Sequence, residues 1–207
     1  MTNNVGLICC YGFAGQQYGR SKLEVYGISC YIYDVLTFSL NHKANLLIFC
    51  GGKTRPDYPE ISESQTILDE FYSRIVWTYN ISTQILLEET STTTHGNIVN
   101  GFNKLVRGVN DQTIEFDFTS DTIYIFCDTY REWKVKVISW ILFRGLGINY
   151  KVVPCNRKDT NPKSSLLFQS TAGLILTLKD TTFWRSVHRV RLKYVIVSIH
   201  KRHLANN

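Results

Sequence analysis

Five short apolar runs punctuate this chain, and each gives way to polar residues before a longer stretch at helical spacing begins. The runs are Val5–Tyr11, Leu46–Cys50, Gln84–Leu87, Thr122–Cys127 and Tyr150–Val153, the last closed by Pro154. Amphipathic stretches follow the first four, over about Arg20–Leu40, after Asp57–Ser62, over Asn97–Arg107 and over Tyr130–Arg144. Tight turns would join antiparallel neighbours, whereas helix-length connections fit parallel crossovers. Strands this apolar need cover on both faces. The pattern predicts a three-layer α/β/α sandwich with a mostly parallel, Rossmann-like sheet of about five strands. Two further helical patterns, about Ser165–Leu178 and Thr182–Lys201, close the chain. Asn110–Ser120 reads mainly as a loop in which Ile114, Phe116 and Phe118 alternate, and Asn156–Ser164 reads as a surface loop.

With 207 residues, 44% of them hydrophobic, residues 1–207 suit one domain with a sizeable core. No apolar run approaches the ~20 residues that span a bilayer. The start of the chain, Met1-Thr-Asn-Asn-Val-Gly-Leu-Ile-Cys-Cys-Tyr11, has no basic leader, so a cytosolic protein is expected. Cys9, Cys10, Cys50 and Cys127 sit in apolar runs, as reduced core thiols do, and no Cys/His spacing suggests a metal site. The net charge of +6 is local. Arg185, Arg189, Arg191, Lys193, Lys201 and Arg202 lie in an acid-free tail, and the other 17 cations match the 17 carboxylates elsewhere. A basic helix over about residues 182–203 follows. Its apolar Trp184, Val187, Val190, Tyr194 and Val197 either pack on the body or meet an acidic partner, an anionic lipid or nucleic acid.

Ligands of open α/β sheets bind at the carboxyl ends of the strands. Gly12, Gly15 and Arg20 follow the first strand, and Gly51, Gly52 and Lys53 the second. Glu88, Glu89, Ser91, Thr94 and Asn97 follow the third, and Asp128, Arg131 and Lys134 the fourth. Glycines permit close backbone approach, and helix N-termini offer free N–H groups to an anion. Each piece also has a plainer explanation. The glycine pair suits a strand-to-loop turn, Ser62-x-x-Gln65 is a capping box, Thr93 or Thr94 suits a helix cap, and His95 suits an exposed position. Recurrence at one edge of the sheet favours a site.

The order of these segments resembles the YdcF/SanA/ElyC-like family. That family has a strand ending in Gly-Gly, then Ser-Glu-Ala, then Glu-Asp-x-Ser-x-Asn-Thr-x-Glu-Asn. Here stand Gly51-Gly52, Ser62-Glu63-Ser64, and Glu88, Glu89, Ser91, Thr94 and Asn97. Thr93 replaces the usual Asn and Gly96 the usual Glu. A later Thr-Ser-x-Tyr-His-x-x-Arg segment resembles Cys127–Lys134, with Arg131 in place of His and Lys134 in place of Arg. The resemblance, over roughly Val5–Val153, implies a Rossmann-like domain and points to S-adenosylmethionine or another nucleoside derivative as the ligand.

The leading expectation is a protein that binds a nucleotide-like or S-adenosylmethionine-like ligand at the strand-end crevice, through Gly12, Gly15, Arg20, Gly51, Gly52, Lys53, Glu63, Ser91, Thr94, Asn97, Arg131 and Lys134. Strand two ends without the ribose-binding carboxylate of a conventional methyltransferase. A hydrolase or transferase acting on a phosphorylated or cell-envelope precursor is the alternative, with Glu63, Glu88 and Glu89 as acid/base groups. Arginine at position 131 cannot titrate near neutrality, which weighs against such catalysis. An interaction protein acting through the basic helix is the third expectation.

Overall fold

A computed structural model describes residues 4–9, 22–54, 59–75, 83–155 and 163–205. Five strands, β1 (Asn4–Cys9), β2 (Leu46–Cys50), β3 (Gln84–Glu88), β4 (Thr122–Asp128) and β5 (Asn149–Cys155), form one sheet in the order β3-β2-β1-β4-β5. Every pairing is parallel, and β1 sits centrally, with Val5 opposite both Leu46 and Ile123. The chain winds outward from β1 to one edge, then returns to build the other half. That is the Rossmann strand order.

Successive residues of a strand face opposite sides of the sheet, and the two cores follow this alternation. Leu46, Ile48 and Cys50 of β2 join Ile123 and Ile125 of β4 beneath helices α3 (Thr94–Asn110), α4 (Glu132–Phe143) and α6 (Thr181–Ala205). Leu47 and Phe49 join Tyr124 and Phe126 beneath α1 (Lys22–Asn41) and α2 (Glu63–Ile75), which contribute Tyr31, Ile32, Ile67 and Phe71. All five residues of β2 are buried, as expected of a strand covered on both faces.

Several boundaries differ from the sequence reading. Thr93 caps α3, accepting the Gly96 N–H at 3.1 Å, so α3 begins ahead of Asn97 and runs on to Asn110. Ser62 caps α2 by accepting the Gln65 N–H at 3.0 Å, but the Gln65 side chain donates to Asp69 and does not complete a capping box. The helix expected from Tyr130 opens as a 3₁₀ turn (Thr129–Arg131) on Asp128 before α4 starts. Pro154 lies inside β5, opposite Cys127; β5 is an edge strand, the place in a sheet where proline is tolerated. Lys163 and Ser164, read as loop, open α5 (Lys163–Lys179). Residues 111–121 contain no strand, yet Ile114, Phe116 and Phe118 are buried, with Phe118 edge-on to Tyr194 of α6.

The final helix is part of the body. Phe183, Val187, Val190, Tyr194 and Val197 form its buried stripe, whereas Trp184, expected in that stripe, is 42% exposed. The Arg191 guanidinium donates to the carbonyls of Ile141 and Leu142 at the end of α4, and Lys193 donates to Asn103 of α3. Those two cations therefore serve internal packing. No helix among the described residues is long and apolar enough to cross a membrane.

Candidate functional site

The loops beyond the strand ends hold two layers of polar residues. The inner layer is built around Gly51 and Gly52. Gly51 N–H donates to the Glu88 carbonyl at 2.8 Å, and Gly52 N–H to the Ser91 carbonyl at 2.6 Å. The Gly52 and Gly51 carbonyls in turn accept the N–H groups of Glu63 and Ser64, both at 3.0 Å. The glycine pair thus splices the β3–α3 loop to the start of α2. A Cβ on residue 52 would lie 2.7 Å from the carbonyl oxygens of both Glu89 and Ser91. The close approach that requires glycine here is made by the protein's own backbone.

Glu88 belongs to the same layer. It is buried and accepts the hydroxyls of Ser91 and Thr90 and the Thr90 N–H at 2.8 Å. Asn100 donates to Thr90 and Ser91, both at 3.2 Å. Glu89 accepts the Ser62 hydroxyl at 2.6 Å. The carboxylates and hydroxyls of the third-strand motif are thus hydrogen-bonded among themselves and to Ser62 and Asn100.

The outer layer lines a cleft of about 540 Å³. Its walls are Thr54 and Glu63 from the β2–α2 side, Thr92–His95 and Asn97 at the start of α3, Arg131 and Lys134 after β4, and Gly173, Leu176, Thr177 and Asp180 of the α5–α6 corner. Glu63 is buried and accepts the Thr54 hydroxyl. Asp128 positions Arg131 twice, accepting its backbone N–H at 3.0 Å and pairing with its guanidinium at 3.2 Å. One helical turn on, Lys134 projects against Gly173, where an added Cβ would stand 2.8 Å from Nζ. Burial, reinforced by the Arg131 charge and opposed by Asp128, pulls the Lys134 pKa down to about 8. Among the described residues Lys134 makes no ion pair or hydrogen bond.

His95 is half-buried, contrary to the expectation of an exposed ring. Its nitrogens lie 3.3 Å from the hydroxyls of Thr177 and Thr93, and its ring meets Phe183 edge-on at 5.3 Å. Burial is the largest influence on it and lowers its pKa; Asp180 opposes this and Lys134 adds to it. Asp180 also caps α6, accepting the Thr182 N–H at 2.8 Å.

Of the residues singled out from the sequence, the cleft gathers Glu63, Thr94, Asn97, Arg131 and Lys134. Gly51, Gly52 and Ser91 lie in the layer beneath, and Lys53 is exposed outside the lining. Glu88 and Glu89 face a second hollow of about 650 Å³ on the outer flank of β3, beside Asn100 and Arg107. Gly12, Gly15 and Arg20 fall outside the described residues. Sequence reasoning missed the contribution of α5, because Gly173, Thr177 and Asp180 follow the last strand and carry no motif. The one available signal was Asp180-Thr-Thr182, a cap between two helical patterns. Among the described residues, no group of three or more His, Cys, Asp or Glu side chains is placed to hold a metal ion.

Fold and strand-end cleft together define a Rossmann-like α/β protein. No family model, curated protein or solved structure matches the chain.

Proposed function

We propose that this cleft binds a phosphorylated, nucleotide-like small molecule. The observation that carries the reading is the pairing of Arg131 and Lys134 on one wall with the α3 N-terminus on another. Two cations and the positive end of a helix favour an anion in the same space. Glu63, Asn97 and the threonine hydroxyls would meet the hydroxyl or amine groups of such a ligand. The motif resemblance to the YdcF/SanA/ElyC-like family supports a nucleoside derivative in general terms.

Catalysis is the second reading, and one observation favours it: Lys134, with a pKa of about 8, shares the cleft with the Glu63 carboxylate. A partly neutral lysine can accept a proton where arginine cannot. A cytosolic setting fits the buried cysteines Cys50, Cys127 and Cys155.

The experiment is unbiased mass spectrometry of small molecules that co-purify with the native protein, followed by calorimetric titration of what is found. A phosphorylated nucleoside derivative whose affinity falls in Arg131→Gln and Lys134→Met supports the reading. A cationic or uncharged ligand, indifferent to both substitutions, would refute it.

A further inference from the structure

Helix α6 has a second apolar stripe, on the side turned away from its own core. Leu192, Val195, Ile196 and Ile199 recur at i, i+3, i+4 and i+7, so they form one continuous ridge. Each is 40–58% exposed, whereas the stripe that includes Val187, Val190 and Tyr194 is buried. Single exposed aliphatic residues need no explanation, but four at neighbouring positions on one helix face are what an interaction surface would present. On the same outer side, one to two turns earlier, Arg185, His188 and Arg189 are exposed. Over its 25 residues α6 contains no acidic side chain.

We propose that the outer face of α6 docks flat on the anionic surface of a phospholipid bilayer. Charge selects the occupant. A second copy seated on this face would bring two acid-free helices together with no carboxylate on either to pair with Arg185 and Arg189, whereas an anionic surface pairs with both. Neither the cleft nor the second hollow is lined by α6, so neither would hold a protein side chain against this ridge. A fluid apolar layer needs no groove. It accepts an aliphatic ridge to a depth of about 5–10 Å, while Arg185 and Arg189 remain among anionic headgroups. Arg191 and Lys193 take no part, because they are already committed to Ile141, Leu142 and Asn103. This surface is separate from the cleft and does not depend on what the cleft binds.

The test is flotation of the full chain with phosphatidylcholine vesicles that contain or lack phosphatidylglycerol. Wild-type protein floats with the anionic vesicles, not with the neutral ones, and added salt weakens the association. Leu192→Ser/Ile196→Ser lowers binding about tenfold or more, since two buried aliphatic side chains are lost. Both positions are solvent-exposed, so the thermal melt of this variant stays that of wild type. Arg185→Glu/Arg189→Glu abolishes the preference for phosphatidylglycerol. The proposal is overturned if wild type ignores anionic vesicles, or if the Leu192/Ile196 variant binds them as well as wild type. It is equally overturned if sedimentation shows a dimer that the Leu192/Ile196 substitutions dissolve, or if polyglutamate is bound through this ridge and anionic vesicles are not.

Discussion

Two sets of polar residues share the carboxyl edge of the sheet, and the protein uses them in opposite ways. The inner set (Gly51, Gly52, Ser62, Glu88, Glu89 and Ser91) is hydrogen-bonded within itself and fastens the β2–α2 and β3–α3 loops together. The outer set (Glu63, His95, Asn97, Arg131 and Lys134) borders open volume. In it, burial and a neighbouring cation lower the pKa of Lys134. A polar residue at a strand end is thus no guide to ligand contact until its partners are known. Saturated groups stabilise the frame. Groups that border the cleft are the ones a ligand in it would meet.

Substitutions that separate the two sets give the sharpest tests. The largest effect is expected from Gly52→Val, which forces side-chain carbon against two carbonyl oxygens. The expected cost is roughly 3 kcal/mol, or a fall in Tm of about 6–12 °C, read by thermal denaturation. A variant with wild-type Tm and no ligand affinity would instead move Gly52 into the binding set. Glu88→Ala comes next, because it leaves the hydroxyls of Ser91 and Thr90 without their acceptor. Roughly 2 kcal/mol of stability should be lost, measurable by urea unfolding, with anion affinity unchanged in the folded fraction.

Lys134→Met should do the reverse. Removing a partly buried charge leaves Tm equal or slightly higher, while affinity for a phosphorylated ligand falls roughly 10- to 100-fold by calorimetry. Arg131→Gln should have a smaller effect, since Asp128 already neutralises part of that charge. A Lys134→Met protein that melts far below wild type would place Lys134 in the frame.

The smallest effect concerns pH and stability. The folded-state pKa of Lys134, about 8, lies below its ordinary value of 10.5. Below about 8 the ammonium is charged in both states, and its burial penalises the folded one. Between about 8 and 10.5 the unfolded chain holds more protons, so stability rises with pH through this group. Solvent screening keeps the rise small. Comparing wild type with Lys134→Met in pH-dependent unfolding isolates it; a contribution that falls with pH would have the wrong sign.

Much of the architecture was readable from the chain because β2 and β4 are short, nearly unbroken apolar runs, each followed by a helix-length stretch. The end of β2 at Cys50 agrees with the sequence pattern, whereas β3 runs one residue beyond the expected Leu87, through Glu88. The partner each glycine accommodates was not legible: the atoms crowding Gly52 belong to Glu89 and Ser91, on another loop. Pro154 was read as a stop because proline breaks a central strand, and only the strand order reveals an edge. The fourth wall of the cleft was invisible for a similar reason. Gly173 and Thr177 matter through Lys134 and His95, contacts that no local pattern encodes.

The central claim is that Lys134 and Arg131 make this cleft an anion site, and the charge of Lys134 can be switched without mutation. Calorimetric titration of a nucleoside phosphate on either side of pH 8 tests it directly, with Lys134→Met as the control. Wild-type affinity should be highest below about pH 8 and decline as the ammonium deprotonates above it, while the variant stays weak and flat. Affinity that rises with pH, or a variant that follows the wild-type curve, would contradict the account.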